Sequence, residues 1–104
     1  MARQRTRKPV HPGTVFQQDV LQPLRMRITD AADHLGISRK HLSLFINGHI
    51  GCSKDLAIRL AHATDTSVES WLNMQAAVDA WEAEHELANE DKYSAIKPLR
   101  KPAA

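Results

Sequence analysis

The sequence predicts an all-α domain of five helices, the last of which is longer than the others. Apolar residues recur at helical spacing in successive stretches of the 104-residue chain. Glycine, proline or a small capping residue stands between those stretches, where helices begin and end. Hydrophobic residues make up 42% of the chain and charged residues 25%, which is ordinary for a globular protein with one modest core.

The first helix is predicted from Thr14 to about Gln22. The sequence TVFQ forms a capping-box pattern at its beginning, with Thr14 as the N-cap and Gln17 at the third helical position. Pro23 is expected to end the helix, because proline lacks the N–H donor and clashes with the preceding turn. The apolar line of this helix consists of Phe16, Val20 and Leu24.

The second and third helices are separated by a very short connection. Thr29 is the predicted N-cap of the second helix, and Gly36 stands where a left-handed residue ends a helix. Ser38 is the predicted N-cap of the third. Their inward faces consist of Ile28, Ala31, Ala32 and Leu35, and of Leu42, Phe45 and Ile46. Two short helices that cross this closely form a helix-turn-helix.

The outer face of the third helix and its first turn carry side chains that suit the major groove of DNA. Arginine and lysine donate to guanine, asparagine pairs with adenine, and hydroxyl groups reach bases or phosphates. The loop after this helix is a candidate for phosphate contacts. An ordinary helical hairpin with a solvated face accounts for any one of these features, but DNA binding accounts better for their combination. The predicted DNA-binding residues are Thr29, Ser38, Arg39, Lys40, Ser43, Asn47, His49 and Ser53.

The fourth helix is predicted from Lys54 to about Ala63, and the fifth from Val68 to about Leu87. The fifth has more apolar surface than one contact within the chain requires. One line, which consists of Val68, Trp71, Leu72 and Gln75, could close the domain's own core. We therefore expect a two-fold dimer interface on its second apolar line, although Trp71 alone could be core while Trp81 lies on the surface. That line consists of Trp71, Met74, Val78 and Trp81.

The two ends of the chain differ in composition from the domain predicted at residues 9–88. Residues 1–8 are basic and without periodicity, which is typical of a flexible arm. Such an arm could follow DNA or serve only for solubility. Residues 89–104 form an irregular tail, in which Tyr93, Ile96 and Leu99 could anchor an edge strand or leave the tail disordered.

Charge is divided unevenly along the chain, although the formal net charge is only +2. Residues 1–63 hold ten Lys or Arg and four Asp or Glu, whereas residues 64–91 hold eight Asp or Glu and no Lys or Arg. A basic half beside an acidic segment suggests two partners of opposite charge. The alternative is that both are simply solvated surface.

The sequence gives little support to an enzyme, a metal site or a cofactor. Its six histidines have no zinc-type spacing, and it contains no glycine-rich phosphate loop. Cys52, the single cysteine, cannot form an internal disulfide. The start of a helix could lower the pKa of that thiol, but we interpret Cys52 as a small packing residue. With neither a signal peptide nor a membrane-spanning run, the cytoplasm is the expected location.

Three segments resemble characteristic elements of a known family. They are a His-Pro-Gly entry at residues 11–13, a Leu-x-Pro-Leu end to the first helix at residues 21–24, and a Trp-Leu-x-x-Gln-x-x-x-Asp-x-Trp fifth helix at residues 71–81. Together with a helix-turn-helix like that of the Xre/Cro-type repressors, they resemble the HigA family of bacterial antitoxins. One departure is Arg25-Met26-Arg27, which stands where the family usually has a glycine.

The resemblance implies a fold, a function and two partners. The fold is a lambda-repressor-like helix-turn-helix domain of five helices with an extended C-terminal helix. The function is that of a dimeric antitoxin that represses its own operon by binding operator DNA and that binds a RelE/HigB-type ribonuclease toxin. A stand-alone Xre-type repressor without a toxin is the alternative.

Two surfaces are candidates for the toxin. A toxin that handles RNA is expected to be basic, and the acidic fifth helix would attract it. The acidic candidates are Asp79, Glu82, Glu84 and Glu86. The first helix, through Phe16 and Gln17, is the rival surface, and the resemblance does not choose between them.

Overall fold

The computed structural model describes residues 7–100, and every described element of regular structure is helical. The all-α prediction is therefore confirmed. The parts of the predicted arm and tail at residues 1–6 and 101–104 lie outside the described residues. Within residues 7–100, no helix is both long and apolar enough to cross a membrane.

The first helix, α1, is built from three consecutive segments. An α-helical segment, Pro12–Phe16, leads into a π-helical turn, Gln17–Leu21, and a short α-helical segment, Gln22–Leu24. The prediction of Thr14 as its N-cap is wrong. His11 is the cap instead, because its Nδ1 atom accepts the Gly13 N–H at 2.9 Å and Pro12 is already restricted to a helical φ.

Pro23 does not end α1, contrary to the prediction. The Gln22 N–H donates to the Gln17 carbonyl, five residues back, in the π-helical turn that precedes the proline. This wider turn accommodates a proline ring that would clash with regular α-helical geometry. The chain leaves α1 at Arg25, whose φ of 54° is left-handed, so arginine adopts here a conformation that suits glycine.

Helices α2 (Ile28–Leu35) and α3 (Arg39–Ile46) form the predicted helix-turn-helix. Gly36 ends α2 with a φ of 73°, and the Ser38 hydroxyl caps α3 by accepting the His41 N–H at 3.0 Å. Both predictions are confirmed. Thr29 is not the N-cap of α2, because Arg27 takes the extended cap conformation and the helix begins at Ile28.

Helices α4 (Lys54–Thr64) and α5 (Val68–Glu82) complete the domain. Ser53 caps α4 by accepting the Leu56 N–H at 3.1 Å, as predicted. A π-helical turn, Ala83–Leu87, continues α5 without a break to its predicted end. A short helix, α6 (Asp91–Ser94), follows in the segment that was predicted to be irregular.

The core lies where α1 to α5 meet. α3 packs on α1 and α2, α2 also packs on α4, and α5 packs on α4 and α1. The Trp71 ring meets the Phe16 ring edge-on at 6.3 Å and donates through Nε1 to the Thr66 hydroxyl at 2.8 Å. The largest apolar core residues are Phe16, Leu21, Leu35, Leu42, Phe45, Ile46, Leu56, Leu60 and Trp71.

The start of α1 lies very close to the end of α3 at Gly13. A methyl group at Gly13 would overlap the Phe45 carbonyl oxygen and come within 2.9 Å of Ile46 Cα. Backbone atoms cannot move aside as a flexible side chain can. Glycine at position 13 therefore permits α1 to cover the inner face of α3.

We expect Gly13→Ala to lower the free energy of unfolding by about 3 kcal/mol, because it forces two backbones apart. Gly48→Ala is the matched control. Gly48 has a φ of 76° and no neighbour closer than 3.9 Å to an added methyl group, so only backbone strain of about 1–2 kcal/mol is expected there. Urea unfolding followed by circular dichroism measures both. Equal losses would contradict the close contact at Gly13.

Candidate nucleic-acid interface

The orientation of α3 is fixed by its buried face. Leu42 and Phe45 are completely buried, so the opposite face of the helix must point outward. Arg39 and Lys40, in the first turn, are exposed. Within the described part of the chain, neither side chain takes part in an ion pair, so both cations are available to a ligand.

Three other predicted contact residues already have hydrogen-bond partners within the chain, unlike Arg39 and Lys40. They are Ser38, Ser43 and Asn47. The Ser38 hydroxyl is the helix cap, and the Asn47 amide donates to the Ser43 carbonyl at 2.8 Å. An asparagine that pairs with adenine must present both amide atoms to the base. Asn47 in this rotamer instead helps to close the end of α3, and its oxygen remains for a ligand.

The remaining predicted contacts lie on three different parts of the surface. Thr29 is exposed in the first turn of α2, His49 in the loop after α3, and Ser53 at the start of α4. Helix N-termini present backbone N–H groups that favour phosphate. The structure thus keeps all eight predicted DNA-binding residues on the surface, with Ser43 half-buried and the others exposed.

Arg59 is a polar residue beside the motif that the sequence does not single out. From α4, its Nη1 atom donates to the Leu35 carbonyl at 2.9 Å and to the Gly36 carbonyl at 3.3 Å. Its Nε atom donates to Asp55 at 2.8 Å. The four-residue spacing of Asp55 and Arg59 is a sequence signal for an ion pair on one helix. No sequence signal indicates that Arg59 also reaches the carbonyls of Leu35 and Gly36.

Most of the predicted dimer line of α5 is covered within the chain. Trp71 and Val78 are 4% and 2% exposed, so these two side chains have little surface left for a partner. Their apolar area is already buried in the fold, which does not favour their predicted role in a dimer interface. Met74 and Trp81 are half-buried.

Trp81 lies among charged and aromatic side chains rather than in the main core. It stacks on the His85 ring at 4.4 Å, and the Lys8 ammonium lies 5.6 Å from its centroid. Lys8 also pairs with Glu82 at 2.9 Å and with Glu86 at 3.5 Å. The hydrogen bond to Glu82 raises the pKa of Lys8.

The four acidic toxin candidates do not form one patch. Glu82 and Glu86 lie about one helical turn apart and share Lys8, whereas Glu84 lies on about the opposite side of the helix. Asp79 accepts a hydrogen bond from the Gln75 amide at 2.9 Å. On the rival surface, Gln17 is half-buried and Phe16 is only 2% exposed. The Phe16 ring is therefore core and presents no surface to a partner.

Cys52 has the character of a packing residue, as interpreted from the sequence. Its side chain is buried, and this burial raises the pKa of its thiol to about 11. Its backbone N–H donates to Gln75 Oε1 at 2.8 Å, which ties the loop after α3 to α5. Among residues 7–100, no three His, Cys, Asp or Glu side chains are grouped so that they could hold a metal ion.

The sequence is similar to several curated proteins, although no family model matches it. It is 38% identical over 97 residues to an uncharacterized HTH-type transcriptional regulator, YbaQ, of Escherichia coli strain K12, covering 93% of this chain and 86% of that protein. It is 34% identical over 97 residues to antitoxin HigA-1 of Vibrio cholerae, covering 93% and 90% of the two chains.

Solved structures with the same fold include antitoxins bound to DNA. Pseudomonas aeruginosa HigA with the higBA promoter has a TM-score of 0.75 and 26% identity, covering 89% of this chain and all of that one. The antitoxin GraA in complex with its operator has a TM-score of 0.78 and 25% identity, covering 96% and 100%. An antidote protein of the HigA family from Coxiella burnetii has a TM-score of 0.76 and 28% identity, covering 89% and 100%.

Proposed function

Because this chain belongs to the HigA family of helix-turn-helix antitoxins and their related regulators, we propose that it is the antitoxin of a toxin–antitoxin module. It binds operator DNA as a homodimer, represses its own operon, and holds a basic ribonuclease toxin. The observation that carries the DNA-binding part is the first turn of α3, where Arg39 and Lys40 stand exposed and without ion pairs among the described residues.

Base readout is assigned to Arg39, Lys40 and Ser43, and backbone contacts to the residues around them. Arg39 and Lys40 project from the end of α3 that enters the groove in helix-turn-helix complexes. Ser53 and His49 lie at the start of α4 and in the preceding loop, where phosphate contacts fix the register on the duplex. The likeness to HigA and GraA, which are seen with promoter and operator DNA, supports this assignment.

A dimer is proposed because one short helix reads only a few base pairs, and two-fold operators are read by paired helices. With Trp71 and Val78 buried in the fold, the end of α5 is the remaining candidate on this helix. The half-buried Trp81 lies there, and Leu87 is 48% exposed one and a half turns further on. The exposed Leu87, in the last turn of this helix, is an apolar side chain that a second copy would bury.

The toxin is proposed to approach the acidic side of the same helix. Glu82 and Glu86 lie on the same side of the helix, with Lys8 between them. The negative charge of the two glutamates would steer a basic partner. Exposed charges contribute little affinity alone, so the toxin also needs apolar contacts.

A stand-alone transcriptional regulator is the second candidate function. The similarity to YbaQ, which is described as a transcriptional regulator, favours it. Both candidates share the DNA-binding surface and differ only in the second partner. A small basic protein encoded beside this chain and co-purifying with it would support the antitoxin.

For DNA binding, we expect Arg39→Ala to weaken operator binding by about 1–3 kcal/mol, because a bidentate contact to guanine is lost. Lys40→Ala should weaken it as well. Gel-shift titration at fixed salt against the DNA upstream of the gene measures both. Lys97→Ala is the control, because it also removes one positive charge but from the exposed tail, and it should bind DNA as the wild type does. If the two α3 variants also bind like the wild type, α3 is not the recognition helix.

For the dimer, we expect Leu87→Asp to shift the protein towards monomer, since it places a charge in the proposed apolar contact. Sedimentation velocity at micromolar concentration reports the change. Leu24→Asp is the control, because Leu24 is an even more exposed leucine, at 66%, on a different helix. A wild-type protein that sediments as a monomer, or a Leu87→Asp variant that remains a dimer, would exclude this interface.

For the toxin, we expect Lys8→Ala to raise the association rate about two- to fivefold at low salt, because it frees Glu82 and Glu86 from their cation. The double variant Glu82→Gln, Glu86→Gln should lower that rate. Stopped-flow mixing with the purified basic protein encoded next to this chain measures both, with Glu69→Gln at the other end of α5 as control. Rates that are unchanged at low salt would remove the acidic helix from the toxin interface.

A further inference from the structure

We propose that Arg59 is a positioning residue for operator recognition. It reaches from α4 to the turn between α2 and α3 and fixes the direction in which α3 projects. This inference rests on the proposed function, because it concerns how accurately α3 is held for base contacts. Arg59 itself needs no contact with DNA.

The hydrogen bonds of Arg59 end on the two carbonyls that lead into the turn. Nη1 donates to the Leu35 carbonyl at 2.9 Å and to the Gly36 carbonyl at 3.3 Å. The last carbonyls of a helix lack partners within the helix and carry its negative partial charge, so a guanidinium group satisfies both needs. Arg59 is thus a C-terminal cap for α2 that is supplied by another helix.

Asp55 holds the guanidinium group in the orientation that reaches these carbonyls. It accepts the Nε hydrogen at 2.8 Å from one turn earlier on α4. Because the guanidinium group is planar, the hydrogen bond from Nε to Asp55 also restricts the positions that Nη1 can reach. Asp55 and Arg59 therefore act together as a bracket that joins α4 to the turn.

Gly36, in the turn between α2 and α3, leaves space for the Arg59 side chain. A methyl group at Gly36 would lie 2.9 Å from Arg59 Nη1, and the φ of Gly36 is 73°. Glycine at this position therefore serves two purposes, since it closes α2 in the left-handed conformation and leaves room for the guanidinium group.

The bracket matters because apolar packing alone leaves some freedom in the direction of α3. The buried faces of Leu42 and Phe45 hold α3 against the core, but apolar contacts are not directional. Base recognition requires side chains to be held within about half an ångström. Directional hydrogen bonds at the entrance to α3 supply that restraint.

The test separates positioning from both charge and stability. Arg59→Lys keeps the charge but loses the fork, and Asp55→Ala removes the carboxylate that orients it. Each variant should bind the operator about tenfold more weakly, the effect of one impaired base contact, while binding to unrelated duplex DNA changes by no more than about twofold. Simple electrostatics predicts the opposite for Asp55→Ala, because removing an acid favours association with DNA.

Glu69→Ala is the matched control, because Glu69 is an exposed first-turn acid on α5 with no link to the turn. It should leave operator discrimination unchanged. Hydrogen exchange adds a readout without DNA. The Ile37 N–H, which donates to the Ala32 carbonyl at 3.0 Å, should exchange faster in Asp55→Ala than in the wild type.

Three results would overturn the proposal. Operator binding like that of the wild type in both variants is the first, and unchanged exchange at Ile37 is the second. The third is an equal loss of operator and unrelated-DNA binding that follows a lower melting temperature, since that pattern marks a purely structural residue. A wild-type protein that does not distinguish the operator from unrelated DNA would instead refute the proposed function.

Discussion

The complete burial of one face of α3 is the constraint on which the rest of the structure depends. Leu42 and Phe45 have no exposed surface, and α1 covers them closely because Gly13 carries no side chain. Because this face of α3 is held in the core, the opposite face of the helix must be exposed to solvent. The exposure of Arg39 and Lys40 is therefore a consequence of packing, and the same residues that stabilise the fold set which side chains meet a ligand.

The structure also shows why a long apolar helix does not by itself locate an interface. α5 carries two apolar lines, and periodicity cannot say which of them meets the domain's own core. Trp71 turns inward against Phe16 and Thr66, and Val78 is covered as well. The exposed apolar surface of this helix lies beyond these residues, at Leu87.

Local signals predicted the order of the helices, the turn at Gly36 and the caps at Ser38 and Ser53, because each depends on neighbours within a few residues. The sequence-based predictions were wrong where two local signals disagreed, and they missed contacts between residues that are distant in the sequence. Thr14 has the more usual cap side chain, but the helix begins earlier, at Pro12, and His11 caps it. The π-helical turn before Pro23 overrides the proline signal. The role of Arg59 was beyond sequence reasoning, since its carbonyl partners lie 23 and 24 residues earlier in the chain.

The division of charge has a structural counterpart at Lys8. This residue of the basic half lies between Glu82 and Glu86 of the acidic segment, so opposite charges partly neutralise each other within the chain. All three side chains remain substantially exposed, and ion pairs of this kind are weak and screened by salt. Such a contact holds the start of the domain against α5 without preventing its exchange for stronger ones. Under the proposed function, DNA phosphates would compete for Lys8, and a basic toxin would compete for the two glutamates. In that case, a partner that binds one side of this contact would release the charge that the other partner uses, so opposite charges can lie close together without cancelling either binding surface.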